Sequence, residues 1–322
     1  MDESSAIQMS SCSSPDVSEI WKLAKFFIQL SYILPSVLIY LKFLHSVVKE
    51  KSIYSDAFFT LYIVDGISSI FTISIEFFAL RMLNYVTPYC ELVLSYFKEP
   101  TYVLTPLYYI FMFFQFMKSL SILSLCANRF TSVIWPVKHS YIWKTYIHRI
   151  IITQVLTAAF SSLPIITGPV IFIIYQNSII INYVHTIPYF RTSTFRLIIM
   201  LPSVIFIIIS NIIIISKLSK LSSNVRKVER SMTLSTIFIS IGFILILIFS
   251  IVIVITPATF PSNHPNIVDA FLIFSQIAND VYMISGPIVL LILNKNIRKS
   301  IFYWQREPKR TGPITRVQTL TD

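Results

Sequence analysis

The chain has 322 residues, of which 55% are hydrophobic and 13% are charged, and its formal net charge is +11 at pH 7. Soluble domains carry about 25% charged residues, so this composition excludes a soluble globular protein. The basic residues are confined to short segments between apolar runs, which argues for membrane topology rather than a nucleic-acid partner. Three cysteines exclude a disulfide-rich scaffold and a cysteine-rich metal site, and we predict no metal and no cofactor.

Seven apolar segments follow one another, each long enough for the roughly 20 residues with which a helix crosses a bilayer. Only helices and closed barrels can span lipid, and these runs lack the strict alternation of barrel strands. We therefore predict an all-α membrane protein built as a seven-helix bundle. The predicted spans are Lys22–Val48, Ala57–Leu80, Tyr102–Ala127, Arg149–Tyr175, Thr194–Ser216, Ser231–Ile255 and Ile267–Leu293.

Lysine and arginine are unevenly divided between the two sides of this bundle. Nineteen belong to one set of loops and the C-terminal tail, six belong to the opposite set, and Lys118 lies within a span. Because basic residues favour the cytosolic side, we predict an extracellular N-terminus and a cytosolic C-terminus, with the first span acting as an uncleaved signal anchor. The predicted organisation is an extracellular segment over 1–21, a seven-helix domain over 22–304 and a disordered cytoplasmic tail over 305–322.

The second span has one polar face. Its polar residues are spaced four, three and four positions apart, which places them on one side of a helix: Asp65, Ser69, Thr72 and Glu76. Charged groups inside a membrane are costly and usually face the bundle interior. We therefore expect this face to be turned toward the other helices.

The segment between the second and third spans is rich in aromatic residues around Cys90: Tyr85, Tyr89, Tyr96, Phe97 and Tyr102. It either helps to bind a small amphipathic ligand or forms an aromatic belt at the membrane interface. The candidate ligand-binding residues are Glu76, Tyr108, Gln115 and Gln276. Among the residues predicted to be extracellular, Cys90 has only Cys12 as a possible disulfide partner.

The third span contains a lysine, Lys118, at its middle. At about 1.5 Å per residue, Asp65 lies roughly 12 Å and Lys118 roughly 14 Å from the cytosolic ends of their helices. We therefore predict that Lys118 pairs with Asp65, with Asp280 of the seventh span, a turn or so higher, as the alternative partner. This polar core is either a switch that rearranges on activation or a static ion pair that fixes helix register.

Arg129 follows where the third span meets the cytosol, within an Asn-Arg-Phe triplet and seven residues before Pro136. It is either one more positive-inside charge or a contact for a cytosolic partner. Because Asn128 precedes it, Arg129 lacks a neighbouring carboxylate, and we expect the resting state to be held elsewhere, at Lys118. The loop after the fifth span is also compact and basic. The candidate partner-facing residues are Arg129, Lys138, Lys144, Lys220, Arg226, Lys227 and Arg230.

After the seventh span, Asn294–Trp304 predicts a short amphipathic helix on the inner membrane surface, with membrane lipid as its partner. The spans show no nucleophile–base pair, and the glycine-rich contexts of an intramembrane aspartyl site are missing, so we predict no enzymatic activity. The alternative to a receptor is a multi-pass transporter or ligand-gated channel, with Asp65, Lys118 and Asp280 lining the path.

Four stretches of the chain, in order, resemble the nematode serpentine receptor class gamma (Srg) family of chemoreceptors, and class V serpentine receptors are also similar. They extend from about Ser52 to Phe302 and read KSIYSDAFFTLYIVDGISSIF, KSLSILSLCANRFTSVIWPVKHSYIW, KLSKLSSNVRKVERSMTL and DVYMISGPIVLLILNKNIRKSIF. The resemblance implies a bundle like that of G-protein-coupled receptors, in the plasma membrane of a sensory cell. Its implied partners are an unknown small-molecule ligand on the extracellular side and a heterotrimeric G protein.

Overall fold

A computed structural model describes residues 19–49, 57–97, 99–175, 178–184, 192–218, 223–255, 265–293 and 298. Within these residues, seven helical segments are long and apolar enough to cross a membrane, which confirms the predicted number of spans. They are Glu19–Lys49, Ala57–Tyr85, Thr105–Ile134, Pro136–Thr167, Thr194–Lys217, Thr233–Val252 and Ile273–Leu293.

The helices and strands follow in a simple order along the described residues. The α-helices are α1 (Glu19–Lys49), α2 (Ala57–Glu76), α3 (Met82–Tyr85), α4 (Thr87–Tyr96), α5 (Thr105–Ile134), α6 (Pro136–Ser162), α7 (Thr192–Leu218), α8 (Ser223–Ile255) and α9 (Pro265–Leu293). A π-helical turn, Phe77–Arg81, joins α2 to α3, and a 3₁₀ turn, Leu163–Thr167, follows α6. Between α6 and α7 lie two antiparallel strands, β1 (Val170–Tyr175) and β2 (Ser178–Tyr183).

The predicted end of the fourth span, at Tyr175, is wrong. The helix ends at Ser162, and Val170–Tyr175 is instead the first strand of a hairpin, in which Val170 pairs with Tyr183. Gly168 and Pro169 interrupt the apolar run, since proline cannot donate the backbone hydrogen bond that would continue a helix. The run that follows consists of β-branched and aromatic residues, which favour a strand.

Other predicted boundaries also move. The second span continues to Tyr85 rather than ending at Leu80, and the segment after it, which was expected to be a loop, contains α4. The third span runs from Thr105 to Ile134, so that Arg129 lies inside the helix, more than a turn before its end. We refer to the end of the bundle that carries α4 and the hairpin as the hairpin end, and to the opposite end as the Arg129 end.

A continuous apolar core lies between the spanning helices, and its largest members include Tyr40, Phe43 and Phe243. The outer surface is apolar as well: Phe160, Ile205 and Ile212 are all more than half exposed. Such a surface suits hydrocarbon rather than water as its surroundings. Polar and charged side chains are turned inward, and they define the candidate site.

Candidate functional site

A cavity of about 460 Å³ opens at the hairpin end of the bundle. Its volume lies in the range of about 300–1,000 Å³ that is usual for small-molecule sites. Side chains from α2, α4, α5, the hairpin, α7, α8 and α9 line it, and most of the wall is apolar or aromatic. All four candidate ligand-binding residues from the sequence contribute to this wall: Glu76, Tyr108, Gln115 and Gln276.

Arg196 of α7 also lines the cavity, although the sequence placed it among the extracellular charges. Within the described part of the chain, its guanidinium makes no hydrogen bond and no ion pair. Glu76, Tyr108 and Tyr282 lie within electrostatic range of it. The buried Oε1 atom of Gln115 likewise has no hydrogen-bond partner among the described residues.

Next to the cavity lies a buried ion cluster around Arg81, whose side chain is only 1% exposed. Nη1 of Arg81 donates to Oδ2 of Asp280 at 2.8 Å, and Nη2 contacts Oδ1 of the same carboxylate. Nη2 also donates to Oε1 of Glu76 at 2.9 Å. One guanidinium therefore binds carboxylates from both α2 and α9, and it binds Asp280 in the bidentate geometry that arginine favours.

The π-helical turn explains how Glu76 and Arg81 can meet. In a regular α-helix, residues five apart lie about 140° apart around the axis and face different directions. Here the backbone N–H of Met82 bonds to the carbonyl of Phe77, five residues back, which widens the turn. Arg81 is thereby brought above Glu76, and both face the interior. The spacing of polar and apolar residues in the sequence does not predict this π-helical turn.

Neutral polar groups extend the cluster to α1 and to the cavity wall. Tyr32 donates to Asp280, and the amide of Asn279 donates to Oε2 of Glu76. Gln276 accepts from Gln29 of α1 at 2.9 Å and from the hydroxyl of Tyr85 at 2.7 Å. Because Glu76, Gln276 and Asn279 also line the cavity, the ion cluster forms one side of it.

Deeper in the bundle, Nζ of Lys118 lies 2.8 Å from Oδ2 of Asp65, and both side chains are fully buried. The hydroxyl of Tyr40 donates to the same oxygen at 3.2 Å. Asp280, the alternative partner in the sequence prediction, is not in this pair because it binds Arg81. The three residues that were grouped as one polar core thus belong to two separate ion clusters.

Tyr282 of α9 lies between the cavity and the Lys118–Asp65 pair. Its ring centroid is 5.4 Å from the Lys118 ammonium, and its hydroxyl is 3.4 Å from that of Ser119. The ring stacks on Phe243 of α8, with the centroids 5.6 Å apart. It also lies within electrostatic range of Arg196, so Tyr282 connects the cavity wall to the deeper pair.

At the opposite end, Arg129 is 1% exposed and therefore does not face solvent in this structure. Its guanidinium carbon lies 4.3 Å from the ring centroid of Phe58, and Nη2 donates to Oδ1 of Asn128 at 2.6 Å. Arg129, which lacks a neighbouring carboxylate, is thus bound by the amide oxygen of Asn128. Of the other candidate partner-facing residues, Lys138 and Lys144 are exposed.

Several of the remaining predicted site residues lie outside the residues that the structure describes. Lys220 and Cys12 are not described, and the side chains of Arg226, Lys227 and Arg230, on the first turns of α8, are not described either. Cys90 is buried and takes part in a disulfide; its pairing with Cys12 stays a prediction. Of the predicted surface helix over 294–304, only Arg298 is described. Among the described residues, no group of three metal-binding side chains occurs.

One known protein family matches most of this chain. The model of the Srg family chemoreceptors matches residues 26–301, which is most of the chain. The chain belongs to the Srg chemoreceptor family.

Curated relatives agree with this membership of the Srg family. Serpentine receptor class gamma-15 of Caenorhabditis elegans is 25% identical over 312 residues, covering 94% of this chain and 92% of its own. Serpentine receptor class gamma-4 of the same organism is 26% identical over 303 residues, covering 93% and 94%. The predicted resemblance to class gamma is confirmed. The Srg receptor is therefore a multi-pass membrane protein, and its family indicates a receptor rather than an enzyme.

Proposed function

We propose that this Srg protein is a G-protein-coupled chemosensory receptor of the plasma membrane, which binds a small ligand in the cavity at the hairpin end. The observation that carries the proposal is the cavity itself. It is apolar over most of its wall, it has a few convergent polar groups, and it borders an ion cluster that joins α1, α2 and α9. A ligand that contacts Glu76 or Asn279 touches this cluster directly.

The unequal distribution of basic residues supports an orientation with the hairpin end outside the cell. Two of the six charges first assigned to the outer side, Arg81 and Arg196, belong instead to the ion cluster and the cavity wall. The outer loops are therefore even less basic than the sequence tally suggested, which favours a cytosolic Arg129 end. A ligand then reaches the cavity from outside, as in the sequence prediction.

In the proposed mechanism, ligand binding changes the position of α9 relative to α2 and α5. Tyr282 moves with α9, and its contacts with Lys118, Ser119 and Phe243 carry the change to the Lys118–Asp65 pair. Movement of α5 relative to α2 then separates Arg129 from Phe58, so that its guanidinium becomes available to a G protein. The described structure, with Arg129 covered, corresponds to the resting state.

A transporter or channel is not favoured by these observations. Such a protein requires Asp65, Lys118 and Asp280 to line a continuous water path. All three are at most 1% exposed, and two separate ion clusters hold them. Family membership points in the same direction.

A ligand screen with a G-protein reporter tests the proposal, with Arg129→Ala run beside the unsubstituted receptor. We expect Arg129→Ala to abolish the ligand-evoked reporter signal while ligand binding and surface expression persist, because the residue lies far from the cavity. Lys144→Ala, which removes an exposed charge of the same end, is the matched control and is expected to reduce the signal less. A full signal from Arg129→Ala would remove this residue from the mechanism.

A further inference from the structure

We propose that the cavity selects an anionic amphipathic ligand, with Arg196 binding its acidic group and the aromatic wall binding its apolar part. This assignment rests on the proposed use of the cavity as the ligand site. It adds a residue that sequence reasoning did not include in the site, and it specifies the chemical class of ligand.

The charges around the cavity differ in whether they are already paired. Glu76 lines the wall, but Arg81 occupies its Oε1 atom and Asn279 occupies its Oε2 atom. Both of its carboxylate oxygens are therefore already bound within the protein, and a cationic ligand would have to displace Arg81 or Asn279 to reach them. Arg196, in contrast, has no hydrogen-bond or ion-pair partner among the residues that the structure describes. A guanidinium presents five N–H donors in a plane that fits a carboxylate.

The position of Arg196 favours a ligand rather than solvent as its partner. It lies one turn into α7, half-buried on the cavity wall, where a charged group without a hydrogen-bond partner is costly. Gln115, on α5, is 8% exposed and lines the same cavity, and its Oε1 atom has no partner in the part of the chain that the structure describes. A ligand that carries a hydroxyl or amide N–H beside its acidic group would satisfy both residues.

The rest of the wall determines the apolar part of the ligand. It is formed by aromatic and aliphatic side chains from several elements, among them Tyr89, Phe97, Phe111, Phe172 and Phe249. Such a wall binds a hydrocarbon or aromatic body through apolar burial, at roughly 25 cal/mol per Å². A small, strongly hydrated inorganic anion gains nothing from it. The combination therefore specifies an organic acid with a substantial apolar portion.

The test uses matched pairs of compounds on the full-length receptor in nanodiscs made of phosphatidylcholine alone, which excludes an anionic lipid as the source of the acidic group. Each pair is a carboxylate with a chain or ring of about 6 to 12 carbons, a size suited to a cavity of this class, together with its methyl ester. Binding is measured as the ligand-dependent rise in thermal unfolding temperature. We expect at least one carboxylate to stabilise the receptor more than its ester does.

Substitution then assigns this preference to Arg196. Arg196→Gln is expected to weaken binding of that carboxylate by roughly ten- to a hundredfold, because a charge-assisted hydrogen bond is lost, and to leave the ester unaffected. Arg196→Lys should retain part of the affinity, since it keeps the positive charge. Arg149→Gln, at an exposed position of α6 that is not part of the cavity wall, is the matched arginine control and should bind like the unsubstituted receptor.

Two results overturn the inference: no carboxylate in the set outperforms its ester, or Arg196→Gln binds the preferred carboxylate undiminished. Either result leaves the receptor proposal intact if an uncharged compound activates the G-protein reporter. Conversely, carboxylate binding that depends on Arg196 but produces no reporter signal supports the inference and counts against G-protein coupling.

Discussion

Replacing Arg81 with methionine is expected to lower the free energy of unfolding by about 3–5 kcal/mol, the usual cost of breaking a buried ion pair by removal of one partner. Methionine keeps much of the apolar volume but leaves Glu76 and Asp280 as uncompensated buried carboxylates from two helices. Their repulsion would separate α2 from α9. The observable result is loss of surface expression and a lower midpoint of thermal unfolding.

Two further variants distinguish the loss of the Arg81 charge from the loss of Arg81 packing. Adding Glu76→Gln and Asp280→Asn to Arg81→Met removes both orphaned charges, and we expect this triple variant to regain much of the lost stability. Arg149→Met is the matched control, expected to change stability by about 0.5 kcal/mol or less because the residue is exposed. If Arg81→Met unfolds at the same temperature as the unsubstituted receptor, the ion cluster does not hold these helices together.

Reversing either charge of the deeper pair is the second substitution with a large expected effect. Asp65→Lys alone or Lys118→Asp alone places two like charges at the 2.8 Å contact, where both side chains are fully buried. We expect each single variant to lose about 3–5 kcal/mol of stability and most surface expression. The double variant restores opposite charges at the same level of α2 and α5, and should recover much of that loss.

The double variant also distinguishes a static pair from a switch. If the pair only fixes helix register, the rescued receptor signals normally. If it controls activation, the rescued receptor reaches the surface but has altered basal activity in the reporter, because Tyr282 packs on the ammonium of Lys118 and would meet a carboxylate instead. A double variant that is no better than either single variant would show that the pairing does not contribute to stability.

The sequence was most informative where regular helix geometry applies. Counting residues from the ends of two predicted helices placed Asp65 and Lys118 at the same depth, and the structure brings them within 2.8 Å. The polar face of the second span similarly placed Glu76 toward the interior, where it lines the cavity. Both inferences need only a constant rise and a constant angle per residue.

The sequence was least informative where the chain departs from that geometry. Arg81 follows the predicted end of the second span, so it was assigned to a loop, whereas a π-helical turn carries it into the bundle. Arg196 is near the start of a span, where a charge facing water and a charge facing a cavity give the same pattern. The hairpin was missed because its strands continue an apolar run, and periodicity does not separate a short buried strand from a helix.

The central claim, that a ligand in the cavity activates a G protein, is tested most directly by nucleotide exchange on a purified G protein with the compound found in the reporter screen. Ser250→Trp fills the cavity from α8, where, among the residues that the structure describes, the Ser250 hydroxyl bonds to the carbonyl of Ile246 in its own helix and to no other group. Ile248→Trp is the matched control, because this side chain is half exposed on the outer face of the same helix.

We predict that the compound stimulates exchange through the unsubstituted receptor and Ile248→Trp, and that Ser250→Trp abolishes the stimulation while the protein remains folded. Stimulation that survives in Ser250→Trp would place the ligand outside the cavity. A compound-evoked current in the absence of any G protein would contradict the receptor account as a whole.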